Sequence, residues 1–287
     1  MALGEQDLSY VRTLVYDASA IVIEPGKEYL VEARLDPLAR EAGFASLGQL
    51  VTHLRGTVRN GLHARVVEAM TTNETTFFRD VHPFELLKAE VLPRLLEARK
   101  ASKRVTIWCG ASSTGQEPYT IAMLLREHFS GLADWRISIV ATDLSTAVLE
   151  RAKAGVYSHL EVNRGLPAPL LVKYFEKAGA SFRLKPEITR MVEFRSLNLT
   201  ASWPSLGPVD IVFLRNVLIY FDVPTKKKIL GRVHDLLPQD GVLFLGGAET
   251  TLNLDDRFRR IETKTGRGGA YTKTDGGPLK GPPGRSF

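Results

Sequence analysis

Glu117 and Asp143 are carboxylates at two strand-to-helix turns, positions from which acidic side chains can meet a ligand. In CGASSTGQEP the small residues let a ligand approach backbone N–H groups at a helix start, and Glu117 places a carboxylate next to that turn. Such a carboxylate repels phosphate but accepts hydrogen bonds from ammonium or hydroxyl groups, which favours a phosphate-free, cationic cofactor. An acidic residue in a first helical turn also simply complements the helix dipole. GxxxxGK[ST] is absent and GASSTG departs from GxGxxG, so the turn suits neither a nucleoside triphosphate nor a dinucleotide pyrophosphate. Asp143 ends the next strand about 25 to 30 residues further on, the position from which an acidic residue reaches ribose hydroxyls. Standing ahead of LSTAVLERA, it has helix capping as its plain alternative, and ribose binding is the favoured reading beside the turn.

Upstream, TTNETTFFRD gathers Asn73, Thr75 and Arg79 around two aromatics. The planar fork of Arg79 suits a carboxylate, either of a cofactor or of a substrate side chain. Asn73 and Thr75 read as ligand contacts or plain caps, and Phe77 and Phe78 as packing. Downstream, Asn198 and Leu199 close the third strand, where they would flank a flat apolar ring such as adenine. Arg215 and Asn216 stand at the carboxyl end of VDIVFLRNVLIYFD, and Tyr220 follows by one helical turn. Asn216 as a loop brace and Tyr220 as a packing residue are the alternatives.

These residues need a scaffold that brings strand ends together. RVTIWCG, RISIVATD, MVEFRSLNL, VDIVFLRN and GVLFLGGAE are short apolar strands that alternate with helices or connections. The alternation predicts a mainly parallel sheet covered on both faces, with right-handed crossovers and the ligand at the carboxyl ends. Before the sheet, apolar residues at helical spacing (Leu8, Val11, Leu14, Val15; Leu47, Leu50, Val51, Leu54) predict a small helical domain over residues 1–80. Gly26, Gly43 and Gly56 punctuate it, and Gly61 falls inside or at the start of its last helix. A further amphipathic stretch, HPFELLKAEVLPRLLEARK, leads into a catalytic domain over 81–274. The long connection after the second strand, with helical LLVKYFEK and β-like SFRLKPEIT, reads as an inserted subdomain over 158–190. FRRIETKTGRGGAYTKT reads as a terminal hairpin, and the Gly/Pro-rich residues 275–287 as a disordered tail.

Composition narrows the classes. One cysteine, Cys109, excludes an internal disulfide, and the six histidines show no zinc-binding spacing, so no metal is expected. No apolar run approaches the roughly 20 residues that span a bilayer, and the N-terminus lacks a secretory layout, which predicts a cytoplasmic protein with no membrane insertion. The formal charge of +6 is uneven: residues 1–90 hold 9 Lys/Arg against 13 Asp/Glu, the rest 29 against 19. Within the acidic part, Arg55, Arg59 and Arg65 with His53 and His63 form a local basic run, either a solvated helical face or a dock for an acidic protein.

Taken in order, NETTFFRD, WCGASSTGQEPYTIA, ATDLSTAVLERAKAGVY, VEFRSLNL, DIVFLRNVLIYFD and GVLFLGGAET resemble the motif set of the chemotaxis receptor glutamate O-methyltransferases, the CheR family, from the first helices to about Thr274. The resemblance implies a class I S-adenosylmethionine-dependent methyltransferase: an α/β, Rossmann-like, mainly parallel sheet with an N-terminal all-α domain and a small inserted β-subdomain. The cofactor contacts it implies are Asn73, Thr75, Arg79, Glu117, Asp143, Asn198, Leu199, Leu214, Arg215 and Asn216, with Arg79 and Tyr220 at the transfer site. It further implies that the helical domain, through Arg55, Arg59 and Arg65, helps dock the cytoplasmic helical domain of methyl-accepting receptors. Two positions depart from the family's pattern: Gln116 replaces the first of two acidic residues, and Leu214 stands where a cysteine often precedes RN. The short segment KAGASFRLKPEITRMVEF predicts binding independent of a receptor's C-terminal pentapeptide tether, and a monomer is expected.

The reaction so implied is an in-line displacement by a glutamate oxygen on the sulfonium methyl, giving a γ-methyl ester and S-adenosylhomocysteine. With a pKa of about 4.3, the acceptor is already ionised at neutral pH and needs no base. Positioning then carries the catalysis and contributes up to about 7 to 11 kcal/mol in well-oriented systems. Two rival readings are a nucleic-acid methyltransferase and a cofactor-binding regulatory module that does not turn over. Against the first, the chain has no RRM or zinc-finger module; Gln116 leaves the second open.

Overall fold

Leu8, Val11, Leu14 and Val15, three and four residues apart, share one helical face. The first segment forms four such helices in the computed structural model, which describes residues 3–129, 131–132, 134–262 and 269–275. They are α1 (Glu5–Ser19), α2 (Glu28–Glu41), α3 (Leu47–Arg55) and α4 (Gly61–Ala69). The hydroxyl of Ser46 caps α3 by accepting the Gln49 N–H. Asn60 caps α4, so Gly61 is that helix's first residue. Val11, Val15, Leu35, Leu50 and Val66 are fully buried in the core these helices share.

The stretch HPFELLKAEVLPRLLEARK is not one regular helix. It runs as α5 (His82–Leu86), a π-helical turn over Leu87–Val91, and α6 (Leu92–Ala98). Pro93 supplies the reason: it has no N–H for the carbonyl four residues back, and its ring crowds that carbonyl. The backbone widens, and the Leu92 N–H reaches the Leu87 carbonyl five residues back.

The sheet follows. β1 (Arg104–Gly110), α7 (Gln116–His128), β2 (Arg136–Asp143) and α8 (Thr146–Ala154) form the first two βα units, and β6 (Val192–Ser196) comes after the long connection. β7 (Ile211–Leu214), a 3-10 turn (Leu218–Tyr220), α12 (Val223–Leu236), β8 (Val242–Leu245), β9 (Phe258–Arg260) and β10 (Ala270–Lys273) complete it. The strand order is β6-β2-β1-β7-β8-β10-β9; β6 to β8 are parallel, and β10 and β9 form the antiparallel hairpin at the edge. The five parallel strands are the five apolar runs of the sequence, and the architecture is the class I methyltransferase fold preceded by an all-α domain.

The long connection holds β3 (Val156–Ser158), α9 (His159–Asn163), α10 (Ala168–Tyr174), β4 (Phe175–Ala178), β5 (Ser181–Leu184) and α11 (Pro186–Thr189), with a separate antiparallel sheet β3-β5-β4. Two details differ from the sequence reading. Helix α10 stops at Tyr174, because Phe175 pairs with Leu184 and is buried there, a tertiary pairing that overrides the helical pattern of LLVKYFEK. The β-like run SFRLKPEIT stays extended only to Leu184, because Pro186 starts a helical turn. Apart from Asp275, the Gly/Pro-rich tail lies outside the described residues.

At the amino ends of the strands, Arg99 ties the covering helix to the sheet. Its Nε donates to Asp210 at 2.9 Å, and its two terminal nitrogens donate to Asp240 at 2.9 and 2.7 Å. Asp210 in turn accepts the Thr106 N–H of β1 at 2.9 Å. Arg99 holds the Asp240 carboxyl below its ordinary range. Replacing Arg99 by Met strands both aspartates, and we expect a loss of about 3 kcal/mol in urea denaturation; an unchanged midpoint would remove this anchor from the account.

Candidate active site

The strand order reverses at β1: β2 and β6 lie on one side, β7 and β8 on the other. Loops leaving β1 and β7 therefore diverge and open a crevice at their carboxyl ends. A cleft of about 900 Å³, partly open to solvent, lies there. Its walls include Asn73, Thr75, Arg79, Glu117, Asp143, Asn198, Leu199, Arg215, Asn216 and Tyr220. Of the cofactor and catalytic candidates read from the sequence, Leu214 is the one outside the lining. It stands behind the wall, fully buried against Gly110, where an added Cβ would come within 2.9 Å of its Cδ1.

The β1–α7 turn is shaped by left-handed residues. Ala111, Ser113 and Gly115 have φ of 55°, 50° and 92°. Asp143 holds this turn: one carboxylate oxygen accepts the Ser113 N–H at 2.8 Å and the other the Ser145 N–H at 3.0 Å. The cap of α8 is Ser145, whose hydroxyl accepts from Val148. Asp143 thus braces two loops at the cleft edge, and burial raises its pKa against the pull of those N–H groups. The Ser113 hydroxyl donates to the Asn73 carbonyl at 2.8 Å, fastening TTNETTFFRD to the turn.

Opposite, Arg215 is a buried hub. Its guanidinium donates to Glu117 at 2.7 Å, to Asp80 at 2.7 Å and to the Arg79 carbonyl at 2.9 Å, and it lies over the Phe84 ring. Burial raises the Glu117 pKa, while the Arg215 charge pulls it back. The segment so clamped is strained: Phe78, Asp80 and the β-branched Val81 all have positive φ, at 50°, 67° and 45°. Arg79 itself donates to the Glu74 carbonyl at 2.9 Å and pairs with no carboxylate among the described residues. The Glu74 pKa is lowered chiefly by its pair with Arg164 and further by the Arg79 charge, which also opposes the burial-driven rise at Glu117. Phe77 is wholly buried against Tyr157 and Phe175 of the insert, at 5.0 and 5.8 Å between ring centroids.

One buried carboxylate at the site carried no assignment in the sequence reading. Glu249, 8% exposed, accepts four backbone N–H bonds: from Asn216 and Gly246 at 2.7 Å each, Val217 at 2.9 Å and Leu218 at 2.7 Å. It fixes the RNVL turn, including the left-handed Asn216 at φ 57°. Gly246 must lack a side chain, since a Cβ there would fall within 2.8 Å of Glu249 and 2.7 Å of Asn216. The available signal was an acidic residue just past the last parallel strand, in GGAET.

The helical domain closes the cleft from above. Ser19 and Ile21 join its lining, the Val22 N–H donates to the Tyr220 carbonyl at 2.9 Å, and Asn198 donates its amide to the Ala18 carbonyl at 2.7 Å. Asn198 Oδ1 accepts from Thr200 twice, so only its second N–H is left for a ligand. Tyr220 is half-buried, and its hydroxyl bonds to no described residue. The basic run is less basic in space than in sequence. Arg55, Arg59 and Arg65 pair with Asp7, Asp17 and Glu41 at 3.1, 2.8 and 2.6 Å, and His63 is buried as part of the α4 cap.

The acceptors fit a cationic, hydroxyl-bearing ligand. Of the three cleft carboxylates, Glu74 is paired with Arg164; Glu117 and Asp143, the buried and unpartnered hydroxyl of Ser112, and the apolar Leu197, Leu199 and Val217 offer acceptors and a ring slot. Among the described residues no lysine lines the cleft, and the terminal nitrogens of Arg215 are already engaged by Glu117, Asp80 and the Arg79 carbonyl.

Comparison with known proteins agrees with this chemistry. Residues 73–267 match the family model described as "CheR methyltransferase, SAM binding domain", and residues 6–71 match "CheR methyltransferase, all-alpha domain". The chain is 44% identical over 270 residues to "Chemotaxis protein methyltransferase 1" of Pseudomonas aeruginosa, covering 93% of this chain and 98% of that one. It is 38% identical to a "Chemotaxis protein methyltransferase" of Vibrio parahaemolyticus, over 93% and 97% of the two chains. A protein of the same name from Escherichia coli is 35% identical, over 90% and 89%.

Replacing Glu249 by Gln turns one of its two acceptor oxygens into a donor facing backbone N–H groups. We expect about 2 to 3 kcal/mol of lost stability by chemical denaturation, and a wild-type midpoint would show that the turn holds without the charge.

Proposed function

The chain belongs to the CheR methyltransferase family, and from that membership we propose that it transfers the methyl group of S-adenosylmethionine to glutamate side chains of chemoreceptors, as γ-methyl esters. The observation that carries the reading is the pairing, in one cleft, of two carboxylates suited to hydroxyl and ammonium groups with one guanidinium, Arg79, that has no carboxylate of its own. S-adenosylmethionine supplies the activated methyl. Glu117 would take its ammonium group, Asp143 its ribose hydroxyls, and Asn198 with Leu199 its adenine, with Asn73, Thr75, Arg215 and Asn216 on the remaining walls.

The acceptor glutamate is ionised at neutral pH, so this chain's residues orient it rather than deprotonate it. Arg79 and the free hydroxyl of Tyr220 are the groups proposed to do so, by loose contacts that leave the carboxylate nucleophilic. Gln116 does not argue for lost catalysis: it is 2% exposed, accepts from the Thr114 hydroxyl at 2.8 Å, and is not part of the cleft wall. We further propose that the protein acts as a monomer on the cytoplasmic helical domain of its receptors, with no pentapeptide tether. The inserted sheet has strands of only three to four residues, a short edge for an added peptide. No described helix is long and apolar enough to cross a membrane.

Labelled S-adenosylmethionine with cytoplasmic receptor fragments should give incorporation that is released by base and abolished when the acceptor glutamate is changed to alanine; base-stable label would mean a different acceptor. Arg79→Ala should cut turnover by about 100-fold or more with the fold intact, and wild-type turnover in that variant would end its assignment. Because burial raises the pKa values of Glu117 and Asp143, each protonates at a higher pH than the same group in water as pH falls. Cofactor affinity, measured by calorimetry, should therefore drop on mild acidification, and affinity that is flat down to about pH 4 would contradict their roles. An isolated tether pentapeptide should show no binding by the same method.

A further inference from the structure

The segment after β7 turns an apolar and basic face outward at the mouth of the cleft. Tyr220 lines the cleft, while its neighbours Ile219 and Val223 are 48% and 53% exposed. The end of α1 lies alongside. The Val22 N–H bonds to the Tyr220 carbonyl, Ile21 bridges Phe221, and the Tyr16 hydroxyl donates to Asp222 at 2.6 Å. Tyr16 and Val22, 44% and 41% exposed, extend the same apolar seam from the other domain.

On α12, Lys226 and Lys227 follow Val223 by three and four residues and so rise from the same face. Neither forms a salt bridge among the described residues. The neighbouring carboxylate, Asp222, feels the Lys226 charge but accepts its hydrogen bonds from Tyr16 and the Thr225 N–H. This contrasts with Arg55, Arg59 and Arg65, each matched by a carboxylate of its own domain. Exposed apolar residues grouped beside lysines that form no ion pair mark an interaction site rather than a bare surface.

We infer that this seam, Tyr16, Val22, Ile219 and Val223 flanked by Lys226 and Lys227, docks the segment that carries the acceptor glutamate. The inference rests on the proposed methyl transfer. The partner that fits is an amphipathic, acidic helix: its apolar stripe covers the seam, its outer glutamates face the two lysines, and a glutamate at the stripe's edge reaches Tyr220 and Arg79. Contact of this modest kind suits an enzyme that must release its product.

The test is steady-state methylation of a purified cytoplasmic receptor fragment by the full chain, with S-adenosylmethionine affinity measured in parallel. Val22→Glu, Val223→Glu and the double variant Lys226→Glu/Lys227→Glu should each raise KM for the fragment about tenfold, through like-charge repulsion and lost burial. Cofactor affinity should stay at the wild-type level. Added salt should raise KM for the wild type more than for the lysine variant. Lys100→Glu, exposed at the amino ends of the strands and away from the cleft, should leave KM near wild type. An active wild type with unmoved KM in all three seam variants overturns the dock, as does a KM that only Lys100→Glu disturbs. A wild-type chain that methylates no fragment overturns the proposed function and the dock with it.

Discussion

One buried guanidinium holds the active end of the molecule together. Arg215, whose side chain is 2% exposed, joins the α7 start through Glu117 to the strained 78–81 turn through Asp80 and the Arg79 carbonyl. Burying a charge costs several kcal/mol unless partners replace water. Here two carboxylates, a carbonyl and an aromatic face do so, although Nε remains unpartnered. A lysine could not reach these directions at once, since the planar fork fixes them. Because Arg215 satisfies Glu117 and clamps the backbone of Arg79, the latter's guanidinium is left over for a ligand.

Around this hub, backbone geometry is set by carboxylates rather than by regular structure. Asp143 fixes the turn after β1, and Glu249 fixes the turn after β7 through four N–H groups. Both turns hold left-handed residues that would relax without such bonds. Acidic groups therefore serve two ends in one cleft: some shape it, and some face what enters. Their shared burial raises the pKa of Glu117 and Asp143, so the site is tuned to partners that bring positive charge or hydroxyl donors.

The helical domain is more than an attachment. Ser145 and Thr146 at the start of α8 donate to Glu68 of α4, and Asn198 and Val22 stitch the end of α1 to the strand-end loops. Excluding water from the cleft strengthens every charge interaction within it. The same stitching produces a surface shared by two domains at the cleft's mouth.

By itself the sequence determined the periodic part of the protein. Strand-length apolar runs, alternating with helices, specified the five parallel strands, and ordered motifs placed ten of the eleven cofactor and catalytic candidates on one cleft. These were legible because periodicity and strand-end position are local properties. What only the tertiary structure decided is where polar partners meet across long separations. Arg215 and Asp80 are 135 residues apart, and Glu249 and Asn216 are 33 apart. Leu214 packs behind the cleft wall in the space that Gly110 leaves, the run of arginines meets its carboxylates on other helices, and α10 yields Phe175 to a strand because Leu184 is there to pair with it. Each of these outcomes depends on burial and on a partner distant in sequence, and neither is encoded in local residue spacing.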